Sequence, residues 1–128
     1  MKKLTFVLVA LLTLAFTGCK TETSKVTIYV DDTTGAPVNS RYVFYTDAAS
    51  YIIGAVLPSP EELITDTEDC WEVAQTNAQG TVTLNISLSV AKLTYYFEVY
   101  DFGANQWKEQ SIELHRGNNA DIRFTVNK

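Results

Sequence analysis

Apolar and polar residues alternate with period two along most of the chain after residue 25, the pattern of strands with one buried face. Val26, Ile28 and Val30 alternate with Thr27 and Tyr29, which predicts a first strand over 26–30. Residues 31–37 form a turn cluster ending in Gly35-Ala36-Pro37. Residues 41–46 are rich in aromatic and β-branched side chains and read as a second strand. Residues 70–76 give a third, followed by the turn Asn77-Ala78-Gln79-Gly80. Val82, Leu84, Ile86, Leu88 and Val90 make the longest clean alternation. In 93–100, Tyr95, Phe97 and Val99 share one face, and Tyr96 and Tyr100 share the other. Strands over 107–114 and 121–126 close the set, joined by His115-Arg116-Gly117-Asn118. About seven strands with regularly spaced turns predict an all-β fold, a β-sandwich with Greek-key connections.

One connection breaks this rhythm. Residues 47–69 form a long insertion, the best place for a feature special to this chain. Within it, Pro58-Ser59-Pro60-Glu61-Glu62-Leu63-Ile64 predicts a short helix. Ser59 is the expected N-cap, Pro60 suits the first helical position, and Glu61 and Glu62 suit the positive helix end.

The first residues follow a different logic. Lys2 and Lys3 precede an apolar run over 4–16 interrupted only by Thr5 and Thr13, and small residues Thr17 and Gly18 stand before Cys19. Basic, apolar, then small is the order of a secretory signal peptide. As a helix the run is roughly 20 Å long, too short for a bilayer core of about 30 Å. Phe16-Thr17-Gly18-Cys19 resembles the lipobox of bacterial lipoproteins, with Phe at −3 where that family usually carries Leu. The resemblance implies acylation of the Cys19 thiol, cleavage before it, and anchoring to the cell envelope, most simply to the outer membrane. Several acyl chains at about 0.8 kcal/mol per buried methylene hold firmly. The plainer alternative is an ordinary secretory signal with an incidental cysteine. The expected organisation is a signal peptide over 1–18, the lipidated cysteine and a flexible tether over 19–24, and one β-sandwich domain over 25–128.

Composition sharpens the picture. Removing 1–18 takes Lys2 and Lys3 away, leaving 110 residues with 8 basic against 15 acidic side chains, a formal balance of −7. That is one domain, and its acidity argues against nucleic acid and against electrostatic docking on anionic lipid. Cys70 is the one cysteine besides Cys19. It reads either as a reactive thiol or, beside Trp71, as a small buried hydrophobe.

The order of strands and turns is similar to the transthyretin-like or carboxypeptidase-regulatory-like sandwich. The residues that carry the likeness are 26–30, then Asp32-Thr33-Thr34-Gly35-Ala36-Pro37-Val38, then Thr76-Asn77-Ala78-Gln79-Gly80, then 95–100 and 122–126. The resemblance spans about 25–127 and implies a prealbumin-like or immunoglobulin-like module that supports, presents or binds. Gly35 and Gly80 are the turn positions that need positive φ, and Pro37 leads into an edge strand. The 47–69 insertion departs from the compact family form. Within such folds the hydroxyisourate hydrolases use two histidines, an arginine and a C-terminal Tyr-Arg-Gly-Ser. Here His115 is the single histidine, and the tail is absent.

Candidate chemistry is sparse. His115 reads as a solvated turn residue, and the spacing offers no oriented base for nucleophilic catalysis. Glu61, Glu62, Asp66, Glu68, Asp69 and Glu72 form an acidic set; Asp66, Glu68 and Asp69 are the calcium candidates, with solvated carboxylates the plainer reading. Asp31 and Asp32 are a weaker second oxygen site. Tyr96, Tyr100, Phe102 and Trp107 are the candidate ligand-binding aromatics, because exposed rings stack on sugars and other flat ligands; the plainer reading is cross-strand pairing and core filling. Asp32-Thr33-Thr34 resembles an Asp-Thr-aliphatic-or-Thr sequon of bacterial O-glycosylation, with Thr33 as acceptor. The expectation is a lipid-anchored, non-enzymatic β-sandwich that needs no cofactor and meets a protein partner or a glycan at the envelope. A structural spacer without its own ligand is the alternative, and a hydrolase with an unusual site is the third reading.

Overall fold

The computed structural model describes residues 22–50, 57–65 and 71–127. They form β1 (Glu22–Asp32), β2 (Tyr42–Asp47), α1 (Pro60–Thr65), β3 (Glu72–Gln75), β4 (Thr81–Leu88), β5 (Lys92–Asp101), β6 (Gln106–His115) and β7 (Asn119–Val126). A three-stranded sheet runs β4-β1-β7 and a four-stranded sheet runs β3-β2-β5-β6. This is the all-β sandwich that the alternation predicts. Among neighbouring strands, only β2 with β3 and β5 with β6 follow one another in the chain; the other connections cross between sheets.

Alternation decides which side chains lie between the sheets. Val26, Ile28 and Val30 of β1 meet Leu84, Ile86 and Leu88 of β4 and Ile122, Phe124 and Val126 of β7. Val43, Phe97, Val99 and Leu114 face them from the other sheet. β1 lies at the centre of its sheet, antiparallel to β4 and parallel to β7, with Ile28 opposite both Val82 and Ile122. Being flanked on both sides, it has almost all its apolar side chains fully buried.

β1 begins at Glu22, earlier than the sequence suggests. Residues 22–24, read as tether, pair with β4, Glu22 opposite Leu88 and Ser24 opposite Ile86. Ser24 shares the phase of Val26 and is buried, and its hydroxyl donates to the Asn118 carbonyl at 3.0 Å. A small polar side chain satisfied by a loop carbonyl continues the strand where a charged one would not. β4 ends at Leu88, and Val90, expected in it, lies in the following bend and is exposed. Cys70 lies outside the described residues.

The turns are built by side-chain oxygens. Asp32 Oδ1 accepts from the N–H groups of Thr34 and Ala36 and the Thr34 hydroxyl. Asn77 Oδ1 accepts from the N–H groups of Gln79 and Thr81 and the Thr81 hydroxyl. Both are Asx-type turns, in which the side chain replaces a missing ladder bond. They differ in how much they depend on glycine. Gly35 has φ +86° and open space where a Cβ would sit, whereas Gly80 has φ +69° and a Cβ there would meet the Val30 carbonyl oxygen at 2.6 Å. Gly80 also accepts the Val30 N–H at 2.8 Å, so the chain packs backbone on backbone at this point.

Gly35→Ala should therefore cost only the left-handed strain of about 1 kcal/mol. Gly80→Ala adds a backbone clash and should cost about 3 kcal/mol or more. Paired denaturant melts of the two variants measure the difference.

Candidate functional site

The four-stranded sheet buries its inner face and also part of its outer one, at Phe44, Thr46 and Glu98. Val43 points into the sandwich, and Phe44, its neighbour, points out and is still only 1% exposed. The outward row carries a continuous string of rings. Tyr42 lies 6.3 Å from Phe44, and Phe44 meets Trp107 edge-on at 5.4 Å. Trp107 meets Tyr100 at 5.2 Å, and Tyr100 meets Phe102 at 5.0 Å, both edge-to-face. Tyr100 and Trp107 are direct cross-strand partners in β5 and β6. Such tilted contacts suit the ring quadrupole and add about 0.5–1.5 kcal/mol each beyond area burial.

Residues 57–65 reach this string at Trp107. Trp107 Nε1 donates to the Pro58 carbonyl at 3.1 Å, and Pro60 and Leu63 of α1 are buried. Ser59 caps the helix as its sequence predicts: the Glu62 N–H reaches its hydroxyl at 3.4 Å and the Leu63 N–H its carbonyl at 2.9 Å. The middle of the string is thus shielded while its ends face solvent. Tyr42 is 39% exposed and Phe102 46%. The Arg41 guanidinium lies 4.7 Å from the Phe102 ring centroid and donates to the Tyr100 carbonyl at 2.8 Å. Burial lowers the Arg41 pKa, and the Asp101 charge opposes that shift. The guanidinium thus lies over an exposed ring, in cation–π contact with it.

One carboxylate fixes the turn that presents Phe102. Asp101 is fully buried and accepts from the N–H of Ala104 at 3.0 Å and from the N–H and Nδ2 of Asn127 at 3.0 and 3.2 Å. Lys108 Nζ stands 3.7 Å away. Burial alone would raise its pKa; the donors from Asn127 and Ala104, together with Lys108, outweigh that and hold it below the usual carboxylate range.

Glu98 is the opposite case. It lies outward between Phe44 of β2 and Glu109 of β6, is 3% exposed, and its Oε2 meets no hydrogen-bond partner among the described residues. Desolvation first, then the hydrogen bond and charge of Glu109, push its pKa up to about 9. The shift favours the neutral acid at Glu98, hydrogen-bonded to Glu109. Its sequence signal is a lone charge inside the aromatic run 95–100, which the alternation argument passed over.

A second, smaller feature opens where β2 ends. Tyr45, Thr46, Asp47, Ser50, Glu72 and Tyr95 line a cleft of about 70 Å³. Burial, then the charge and hydrogen bond of Glu72, push Tyr45 up to about 12, and burial with Asp47 and Glu72 raises Tyr95. Both phenols therefore remain protonated donors. The space holds about two waters and no sugar ring.

Of the candidate aromatics, Tyr100, Phe102 and Trp107 are brought together. Tyr96 shares their face but sits opposite Thr46 and Ser111, in the row beyond Glu98. Arg41, Tyr42 and Phe44 complete the site and were missed as ligand contacts. Their signal was the unbroken run Tyr42-Val43-Phe44-Tyr45, which marks a strand buried on both faces. Asp31 is ion-paired with Arg123, and Asp32 is taken up by its own turn, so neither is spare for a cation. Asp66, Glu68, Asp69 and Cys19 lie outside the described residues. Among those described, no three metal-binding side chains converge. Thr33 is exposed at the tip of the first turn. His115 is half-exposed at the end of β6, with Nε2 3.1 Å from Glu113 Oε1. No helix among the described residues is long and apolar enough to cross a membrane.

Asp101→Ala should cost about 3 kcal/mol or more at pH 7, because it orphans several buried donors. The native pKa is depressed, so the charge's contribution is present above the unfolded-state value and fades as pH falls through the folded one; the gap from wild type should narrow in acid. Glu98 has the reverse sign. The fold favours its protonated form, so stability from this group is full below about pH 4.3 and is lost progressively as pH rises toward about 9. Glu98→Gln should flatten that decline and raise stability at pH 7–8. Thermal melts across pH test both variants.

No family model and no curated protein matches this chain.

Proposed function

We propose that the protein is a lipid-anchored, non-enzymatic β-sandwich of the bacterial cell envelope that docks a partner protein through the Tyr42–Phe102 face. The observation that carries this reading is the ring string with buried middle and exposed ends, and Arg41 stacked on one end. Tyrosine and arginine on a rigid sheet are the residue types that dominate binding hot spots. Val73 and Ile64 are also exposed in this layer, which enlarges its apolar character. The anchoring reading rests on the lipobox pattern, and Lys20 and Thr21 alone separate Cys19 from the start of β1. A tether that short holds the domain close to its membrane, most simply the outer one.

A pull-down from detergent-solubilised envelopes should recover one partner with the wild-type chain. Phe102→Ala and Tyr42→Ala should each weaken its capture by about 2 kcal/mol, roughly thirtyfold. A glycan array run in parallel tests the alternative ligand class; binding there and not in the pull-down replaces the partner protein with a saccharide. Silence in both returns the chain to a spacer role. Cys19→Ala should remove the acyl mass and release the protein from the membrane fraction, read by mass spectrometry and fractionation.

A further inference from the structure

The sandwich has four sheet edges, and among the described residues three carry charge. β7 presents Asp121 and Arg123, β6 presents Lys108, Glu109 and Glu113, and the four-residue β3 carries Glu72. Charges and shortness are the usual protections of an edge strand. β4 has neither. Thr81-Val82-Thr83-Leu84-Asn85-Ile86-Ser87-Leu88 holds no charge and no proline, and β1 is its one sheet neighbour.

The hydrogen-bond phase fixes which backbone groups are open. Val30 N–H donates to Gly80, so even-numbered β1 residues bond toward β4. Lys25 N–H donates to Asn118 and the Thr23 carbonyl accepts from Gly117, so odd-numbered ones bond toward β7. By the antiparallel register, the N–H and C=O of Thr83, Asn85 and Ser87 point away from β1. Among the described residues no hydrogen bond reaches them from elsewhere. The open stretch is bounded: the Thr81 carbonyl accepts from Asn77 N–H, and the Ser89 carbonyl accepts from Arg116.

We infer that β4 is a pairing edge for a second copy of this chain. One antiparallel two-fold register uses the whole bounded stretch, with Asn85 opposite Asn85 and Thr83 opposite Ser87. That register forms about six inter-chain backbone hydrogen bonds and pairs hydroxyl with hydroxyl, which suits cross-strand contacts. The same operation on β7 would set Arg123 against Arg123. Across β4 the nearest like charges are the two Lys25 side chains, three strand spacings or about 14 Å apart, beyond the screening length in physiological salt. The contact is isologous and closes at two. It joins two three-stranded sheets into one of six strands and leaves the aromatic face free.

Sedimentation equilibrium of the full chain in mild detergent should show a monomer–dimer equilibrium in the micromolar range. Asn85→Glu keeps the monomer well paired, because Lys25 is its cross-strand neighbour, but sets two carboxylates face to face in the dimer. It should shift the equilibrium toward monomer by about tenfold or more, with unchanged circular dichroism. In a Cys70→Ser background, Asn85→Cys should oxidise to a covalent dimer, since directly opposed residues lie about 5.5 Å apart; Thr125→Cys on β7 should not. A monomer at every concentration, association unaffected by Asn85→Glu, or equal cross-linking at both positions overturns the inference.

Discussion

The proposed docking face depends on a charge that never reaches solvent. Asp101 ends β5 on the core side, where an unpaired carboxylate would be intolerable. It is tolerated because the chain returns donors to it from two directions: Ala104 in the following turn, and Asn127 just past β7 in the other sheet. Gly103 makes that meeting possible, since a Cβ there would sit 2.6 Å from the Asn127 side chain, and its own N–H donates to the Asn127 carbonyl. A single carboxylate thus sets the β5–β6 turn, brings Tyr100 opposite Trp107, and joins the two sheets at one end. Phe102 and its arginine stand on that turn, so the geometry of the proposed docking surface is set from beneath.

The outward face of the four-stranded sheet resolves a conflict between pattern and position. A sheet covered on one side shows clean alternation, and the three-stranded sheet does, with Thr83, Asn85, Ser87, Asp121, Arg123 and Thr125 pointing out. β2 and β5 do not alternate cleanly, because Phe44, Thr46 and Glu98 on their outer side are buried as well. That burial makes Glu98 costly: it sits dry beside a second carboxyl and keeps its proton well above the usual range. A hydrophobic residue there would remove the conflict. Retaining an acid in this place makes the stability of the outer face respond to pH where an ordinary glutamate would be silent.

The strands were legible in the sequence because burial on one face leaves a period-two trace, and all seven lie within a few residues of their predicted places. The cap of α1 was legible too, since Ser59-Pro60-Glu61-Glu62 states its own local chemistry. What period two cannot carry is a second buried face. Phe44 and Glu98 hold the outward phase, so alternation assigns them to solvent, yet both are buried, Phe44 against the Trp107 ring from β6. Ser24 misleads for the converse reason: its polarity suggests a tether, while Asn118, far along the chain, supplies the partner that lets it be buried. Half of the aromatic site is legible from sequence, because Tyr100, Phe102 and Trp107 are close in the chain. Arg41 and Tyr42 join them only through sheet pairing.

The parallel alliance of β1 with β7 has a mechanical meaning. A pull on the amino end of β1 runs along the strand axis, so it loads the ladders to β4 and β7 in shear, many bonds at once, instead of peeling them one by one. The strand nearest the start of the domain is also the central one of its sheet, held on both sides. Tension transmitted from that end therefore meets the three-stranded sheet along two ladders at once.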